Sequence, residues 1–580
     1  MNIFLAQQNY RIGDLKGNSE KIIQGISQAK SAGADLVVFS ELSLCGYPIR
    51  DILEYENFIN QCETTIDVIK QYSQDIGVIL GAPSRNKNPH GKNLHNSAFF
   101  LHRGEIQQIS HKTCLPTYDI FDEYRYFEPC FSWKTIKFKG KKIALTICED
   151  IWSIDNGNLY QICPMDKLMA EDPDLMINIS ASPFDYDQKE KRLDIIQTNI
   201  EKYNLPMFYC NTVGTQTEIG FDGGSIIMDN EGNIRKELPY FEEAIAGIDT
   251  DLLKKHKKDP DQIKHLRAQP NKQKPLYPAT GNLPLFTEEQ FAQLPYDSER
   301  NIDRIYHALI QGIRDYFEKL GFQKAIIGSS GGIDSAVTIA LACEALGAEN
   351  IYSILLPSSY STNHSVEDAE QLSRNLGNPY DIIPIKDIYN SFLDTLKPQF
   401  ADLPFDTAEE NIQARSRGNI LMALANKLGY ILLNTSNKSE LSVGYGTLYG
   451  DLAGGLSIIG DLYKTQIYTL AKYINREKEI IPQHIIDKSP SAELRPEQKD
   501  SDSLPDYEIL DAILYEHIEH GLGEKDIIAT DNFDKDTIHR TLQLFYSGEY
   551  KRHQFCPILR VSGKAFGSGR RAPIVRKYPG

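Results

Sequence analysis

The sequence predicts an α/β protein built as two domains, on three observations. Short apolar runs of β-rich composition alternate with amphipathic helical stretches through the first half of the chain. Between about His265 and Pro295 that texture gives way to QPNKQKPLYPATGNLPLF, which is rich in Pro, Asn and Lys and has neither period. Beyond it the alternation restarts, and 580 residues are more than one hydrophobic core normally fills. The domains are therefore expected at 1–264 and 291–580, with 265–290 as the linker.

In the first half, strands are expected over Asn2–Ala6, Leu36–Phe39, Gly77–Gly81, Lys142–Ile147 and Leu175–Ile179. Their apolar runs are nearly continuous, as in strands buried on both faces. Between the first two, Ile22, Ile23, Ile26 and Ala29 recur at helical spacing and predict a helix over Ser19–Ala32. The second half opens with an amphipathic helix near Ser298–Leu320, a strand at Lys324–Ile327 and a glycine-rich turn. Ser489–Tyr507 is polar, bounded by prolines, and reads as a long loop.

A formal net charge of -17 argues against a duplex nucleic-acid partner, which needs Lys and Arg in excess. The local basic cluster of Lys551, Arg552, Arg570 and Arg571 reads as solvated surface. MNIFLAQQNY lacks the basic and apolar regions of a signal peptide, and no apolar run is long enough to span a bilayer. The nine cysteines are scattered without a CxxC pair, the pattern of reduced thiols in a cytoplasmic protein.

The sharpest local signal is Gly328-Ser329-Ser330-Gly331-Gly332-Ile333-Asp334-Ser335, between the strand and the helix AVTIALACEAL. A strand, a glycine-rich turn and a helix N-terminus make an anion site, because unpaired N–H groups and the helix dipole converge there. Ser330 and Ser335 add hydroxyl donors, and Asp334 is placed to hold Mg2+ beside phosphates. No Lys follows the second Gly, so this is not a Walker loop. The turn resembles the SGGxDS pyrophosphate loop of ATP pyrophosphatases, which adenylate a substrate and release pyrophosphate.

Three further stretches resemble the NAD synthetase family within that group: ENIQARSR from Glu410, TSNKSE from Thr435 followed by GYGTLYGD, and SPSAELRPEQKDSDSLPDYEILD from Ser489 with YKRHQ beyond it. The resemblance implies that Thr435 contacts ATP, and that Glu440 shares Mg2+ with Asp334. It also places deamido-NAD against Asn411, Arg415, Glu440 and Lys551. Lys464 in GDLYKT is a further candidate phosphate contact, with a solvated surface lysine as the alternative. The alternative for Glu440, weaker than the metal reading, is a helix N-terminal carboxylate.

In the first half, Cys148 ends KIALTIC and enters a turn, a usual place for a nucleophile, although taken alone a buried core thiol is the better reading and only its context reverses that. Glu41 ends VVFSE, and Lys112 lies in HKTCLPTYDIFDE. Glu, Lys and Cys in this order, with these flanks, resemble the nitrilase or carbon–nitrogen hydrolase family from Met1 to about Leu252. In that scheme Glu41 takes the thiol proton, Cys148 attacks an amide carbonyl, and Lys112 stabilises the oxyanion. Tyr118 and Ser182 correspond to positions that hold glutamine. The basic residue common six positions after that serine is Gln188 here, with Lys189 next, and either could meet the glutamine carboxylate. Tyr47 is a candidate pocket wall.

The two resemblances imply a nitrilase-like α-β-β-α sandwich followed by a Rossmann-like parallel-sheet domain. They imply an enzyme that frees ammonia from glutamine and uses ATP to amidate deamido-NAD, the closing step of NAD biosynthesis, with channelled ammonia and a homo-oligomeric assembly. A different amidotransferase with the same loop, or a nucleotide sensor without turnover, are the competing readings. The first would require the three C-terminal stretches to be coincidental, and the second would leave Asp334 and Glu440 without a purpose.

Overall fold

The computed structural model describes residues 1–154, 159–253 and 295–576, apart from 402, 492, 496, 497, 499 and 503. The linker read at 265–290, and the domain edges at 264 and 291, lie outside the described residues. The chain divides into two compact units, Met1–Ala292 and Gln293–Gly580.

The first unit holds two six-stranded sheets. In one, strand Asn2–Gln7 pairs in parallel with Leu36–Phe39, which pairs in parallel with Gly77–Arg85. Antiparallel strands extend it through Leu94–His102 to Glu105–His111 on one side, and to Ala244–Asp249 on the other. The second sheet has the same plan. Lys141–Ile147, Leu175–Ser180 and Met207–Asn211 are parallel, with Ile136–Phe138 at one edge and Ile226–Met228 and Ile234–Glu237 at the other.

The inner faces share one core, in which Ile3, Leu5, Val38 and Ile79 of the first sheet meet Leu145, Ile147, Ile177 and Phe208 of the second. Helices Leu15–Ser31 and Glu56–Ile69 cover the outer face of the first sheet, and Pro164–Leu168 and Gln188–Tyr203 that of the second. The expected α-β-β-α sandwich is present. Buried on both faces, its central strands carry near-continuous apolar runs, which is why they were legible. The helix expected from Ser19 starts at Leu15, because the Asp14 side chain accepts the Gly17 N–H and caps it there.

The second unit is built on a five-stranded parallel sheet in the order Tyr380–Ile382, Ile351–Leu355, Ala325–Gly328, Ile431–Asn434, Leu456–Ser457. Chain order reverses on either side of Ala325–Gly328, so its C-terminal end is a topological switch point, where open α/β sheets bind ligands. The expected amphipathic helix runs over Ile302–Leu320 and stops at Gly321, whose φ of 79° gives the left-handed cap.

Of the C-terminal basic cluster only Arg571 is on the surface as expected; Lys551 and Arg570 are half-buried and Arg552 is buried. Arg552 is only 9% exposed, and with Arg570 and Arg576 it surrounds Glu549 at 2.8–3.2 Å. A charge run in sequence cannot reveal an acid that gathers it, and Glu549 does that here.

Candidate active sites

Three strand ends of the first unit deliver the groups singled out from sequence. Glu41 lies two residues beyond Leu36–Phe39, Lys112 follows Glu105–His111, and Cys148 follows Lys141–Ile147. Their exposures are 2%, 0% and 5%. Cys148 has φ of +42°, a strained setting for a side chain that turns the residue sharply out of the strand.

Lys112 Nζ lies 2.7 Å from Glu41 Oε1 and 2.7 Å from Glu123 Oε1. Desolvating an ammonium costs several kcal/mol, so a lysine with no exposure needs such partners. Burial works against its charge, but the two acids overcome that and hold its pKa well above the lysine range. Asn96 Nδ2 donates to Glu41 Oε1 at 2.7 Å and to Glu123 Oε2 at 3.2 Å. The Tyr47 hydroxyl donates to Glu123 Oε1 at 2.9 Å, and the Ala181 N–H donates to Glu41 Oε2 at 3.0 Å. Burial raises the Glu123 carboxyl to about 7, with Lys112 opposing.

Burial, then the Glu41 carboxylate, push the Cys148 thiol well up. The resting group is therefore a thiol that must lose its proton to react. Asp150 straps this turn to the Lys112 segment. One carboxylate oxygen accepts the N–H groups of Thr113 and Cys114 at 3.0 and 2.9 Å, and the other accepts that of Ile147 at 3.1 Å.

Tyr118 donates to both oxygens of Glu149 at 3.0 and 3.1 Å, and Tyr160 donates to Oε1 at 3.1 Å. Gln188 Nε2 donates to Ser182 Oγ at 3.0 Å, and Asn211 Oδ1 accepts the Ser182 N–H at 2.9 Å. Lys189 turns elsewhere, to Glu237 at 3.3 Å and over the Tyr240 ring. Of the two residues left open by sequence, Gln188 is the one beside Ser182. Tyr47, considered as a pocket wall, is spent on Glu123.

Glu123, Asn96, Glu149 and Asp150 were missed as members of this cluster. Glu123 shares TYDIFDEYRY with Asp119 and Asp122, and no spacing separates the three. Asp150 and Glu149 adjoin Cys148, which is the one signal that could have raised them.

In the second unit, the glycine-rich turn leaves strand Ala325–Gly328 and starts helix Ile333–Leu346. Gly331 has φ of +74°, and a Cβ there would fall 2.1 Å from the Ser365 carbonyl, so only glycine fits. Ser335 Oγ accepts the Ser330 N–H at 3.2 Å and donates to the Gly332 carbonyl at 3.0 Å, which fixes the loop. Ser329 Oγ is buried without a partner among the described residues. The loop borders a cavity of about 300 Å³ lined also by Thr435, Glu440, Lys464 and Arg417.

Lys464 is no surface lysine. It is 2% exposed, with Nζ 2.5 Å from Asp334 Oδ2 and 3.8 Å from Glu440 Oε1. Asn437 Nδ2 donates to the other Asp334 oxygen at 3.0 Å. Glu440 caps helix Lys438–Val443 through a capping box with Asn437, as the helix-terminal alternative expects, and it also faces the cavity. Burial, then Asp334, push its carboxyl well up. A single ammonium touches both carboxylates, so their oxygens converge on one point. That donor set fits a hard divalent cation such as Mg2+.

Asn411, Arg415 and Lys551 do not line this cavity; they converge on the neighbouring segment 444–448. Asn411 Oδ1 accepts the Thr447 hydroxyl at 2.6 Å, and Arg415 Nε donates to the Leu448 carbonyl at 3.3 Å. Lys551 Nζ donates to the carbonyls of Gly444 and Gly446 at 2.6 and 2.7 Å.

A buried Cys–Lys–Glu cluster on an α-β-β-α sandwich, and a phosphate loop at the switch point of a parallel sheet, together define a ligase that joins amide hydrolysis to nucleotide activation. Residues 3–258 match the carbon–nitrogen hydrolase family and residues 305–555 the NAD synthase family. The chain is 41% identical to the glutamine-dependent NAD(+) synthetase of Synechocystis sp., covering 99% of each chain. It is 39% identical to that of Thermotoga maritima, over 100% of this chain and 99% of the relative. A solved glutamine-dependent NAD+ synthetase from Acinetobacter baumannii, in complex with ADP, superposes with a TM-score of 0.73 at 36% identity, over 99% of this chain and 98% of that one. This chain belongs to the glutamine-dependent NAD(+) synthetases.

Proposed function

We propose that the chain converts deamido-NAD to NAD+ with ATP, taking nitrogen from glutamine and releasing AMP, pyrophosphate and glutamate. The observation that carries this reading is the pairing of Lys112 with Glu41 and Glu123 beside the Cys148 elbow, on a chain that also holds the Ser329–Ser335 loop.

In the first unit, Glu41 accepts the Cys148 proton as Sγ bonds to the γ-carbonyl carbon of glutamine. The Lys112 ammonium faces the oxygen that becomes negative. The C–N bond breaks, ammonia leaves with the proton returned through Glu41, and water then cleaves the thioester to glutamate. Glu123, held by Tyr47 and Asn96, keeps Lys112 charged and in place.

In the second unit, the loop N–H groups and Lys464 receive the phosphates, Thr435 contacts the nucleotide, and Asn411, Arg415 and Lys551 hold deamido-NAD. The substrate carboxylate oxygen displaces pyrophosphate from the α-phosphorus, and ammonia then displaces AMP from the acyl carbon. Asp334 and Glu440 would hold Mg2+, which when bound neutralises charge on the leaving pyrophosphate. Because ammonia is mostly protonated in neutral water, the reading includes sheltered transfer from one site to the other, in a homo-oligomer.

The test supplies deamido-NAD and ATP with glutamine or with an ammonium salt, and follows NAD+ and AMP. Equal NAD+ and AMP from either source is expected. AMP release that needs xanthosine monophosphate or aspartate in place of deamido-NAD would overturn the substrate.

A further inference from the structure

Helix Thr407–Leu428 borders both the glycine-rich loop's cavity and segment 444–448. Its Ala414, Arg417, Gly418 and Leu421 recur at helical spacing and line the cavity, whereas Asn411 and Arg415 turn to the segment. Of the four that line the cavity, Arg417 alone has a polar side chain. Adenylation has to bring the substrate carboxylate to the α-phosphorus of ATP, and this helix runs along that meeting place.

The cations of the cavity wall differ in their partners. Lys464 rests on Asp334 at 2.5 Å, and Lys488 Nζ donates to Glu493 Oε1 at 2.9 Å and to Ser365 Oγ at 2.5 Å. Arg417 is half-buried and has no carboxylate partner among the described residues. Its Nε donates to the Leu356 carbonyl at 3.0 Å, and its terminal nitrogens make no hydrogen bond among those residues. Burial pulls the guanidinium down to about 10, with Asp451 and Glu493 opposing, so the group stays charged at neutral pH. A cation set into such a wall without an acid is costly, and an anionic ligand removes that cost.

The Leu356 bond also places the guanidinium. Gly328 pairs with Ile354, so Leu356 leaves its strand beside the phosphate loop. The loop N–H groups and Lys464 take the outer phosphates, which leaves the α-phosphorus on the side of Arg417. We infer that Arg417 is a catalytic residue of the activation step, its guanidinium gripping the non-bridging oxygens of the ATP α-phosphoryl group. This rests on the reading that the second unit adenylates deamido-NAD. In that step the carboxylate oxygen bonds to the α-phosphorus, the bond from that phosphorus to the bridging oxygen breaks, and pyrophosphate leaves with the electron pair. A planar fork spanning two oxygens holds the phosphorus while its bonds exchange.

The test follows exchange of labelled pyrophosphate into ATP by the whole protein, with Mg2+ and deamido-NAD and no nitrogen donor. Binding of α,β-methylene-ATP, which cannot be cleaved at that bond, is measured beside it. In Arg417→Gln the exchange kcat should fall by roughly 10²-fold or more, while the analogue's Kd rises by less than about tenfold. Arg417→Lys keeps the charge and loses the fork, and its kcat should fall in between. Replacing one non-bridging α-oxygen of ATP by sulfur should slow the parent's exchange at least about tenfold, and in Arg417→Gln that penalty should shrink to within about threefold. Equal losses of exchange and analogue binding in both variants would show a role in shaping the cavity alone and would overturn the inference. So would an unchanged exchange kcat with a raised KM for deamido-NAD, which would assign the guanidinium to the substrate carboxylate. A parent protein whose exchange does not depend on deamido-NAD would instead overturn the adenylation reading beneath it.

Discussion

The two units meet charge in opposite ways. In the first, Lys112 is neutralised within the protein by Glu41 and Glu123, and every polar atom of those acids that the structure describes is spent on a neighbour. In the second, Lys464 leans on Asp334 and Glu440 at the mouth of a glycine-rich loop, and the Ser329 hydroxyl is buried without a partner among the described residues. The difference follows the ligand. A γ-amide is neutral at its reacting end, so its site must arrive electrostatically complete. A nucleoside triphosphate brings its own charges, and its site holds back donors and acids to receive them.

The largest expected effect breaks the comparison from either side. Asp334→Ala should reduce AMP and NAD+ formation by roughly 10²-fold or more with glutamine and with ammonium alike, because activation serves both. Cys148→Ala should abolish glutamine-dependent NAD+ formation and leave the ammonium-dependent rate largely intact. Paired assays of the two variants check this, and an Asp334→Ala protein that works on ammonium would place activation elsewhere.

Next in size is Glu123→Gln. Lys112 would lose half of its counter-charge at zero exposure, and glutaminase kcat should fall by roughly 10²-fold. Removing one partner of a buried pair also destabilises by about 3–5 kcal/mol, so thermal unfolding must be followed in the same preparation. An unchanged glutaminase rate would show that Glu41 alone sustains the lysine.

These sites differ in how far the sequence disclosed them. Cys148 and Glu41 end apolar strands while Lys112 follows the polar strand Glu105–His111, so the three were legible together only through the resemblance of their order and flanks to the carbon–nitrogen hydrolases. The phosphate loop was legible because glycines and serines crowd one strand-to-helix turn. Glu123 was not, since it reaches Lys112 from a short helix, Glu123–Tyr126, with no periodicity to mark it. Asn96 lies within strand Leu94–His102, where an inward polar residue reads as a break in the pattern. The choice between Gln188 and Lys189 turned on which way a helix begins, information held by packing against Ser182 and Glu237. The burial of Arg552 was missed because Glu549 lies inside the same run, and only folding turns the two toward each other.

A smaller effect sharpens the contrast within the second unit. Lys551→Ala should raise KM for deamido-NAD about tenfold while moving KM for ATP little, since Lys551 meets segment 444–448 and not the loop. Equal shifts in both would merge the two subsites.

The smallest concerns Glu149. Its carboxyl is raised by burial from 4.5 to about 7. A raised carboxyl contributes stability that is fully present below its unfolded pKa and is lost as pH climbs through the folded value. Glu149→Gln carries no such ionisation, so its melting temperature should gain a few degrees on the parent between about pH 5 and about pH 8. A gap between the two proteins that is constant across that range would contradict the buried, raised state of the acid.

The central claim, that nitrogen freed at Cys148 is the nitrogen installed at the adenylating site, is tested most directly with glutamine labelled by ¹⁵N at the amide. The label is followed into NAD+ by mass spectrometry while unlabelled ammonium is present in excess. The account predicts that most NAD+ carries the label and that each NAD+ formed is matched by one AMP. NAD+ labelled only in proportion to the mixed pool would contradict sheltered transfer, and unlabelled NAD+ throughout would contradict the glutaminase itself.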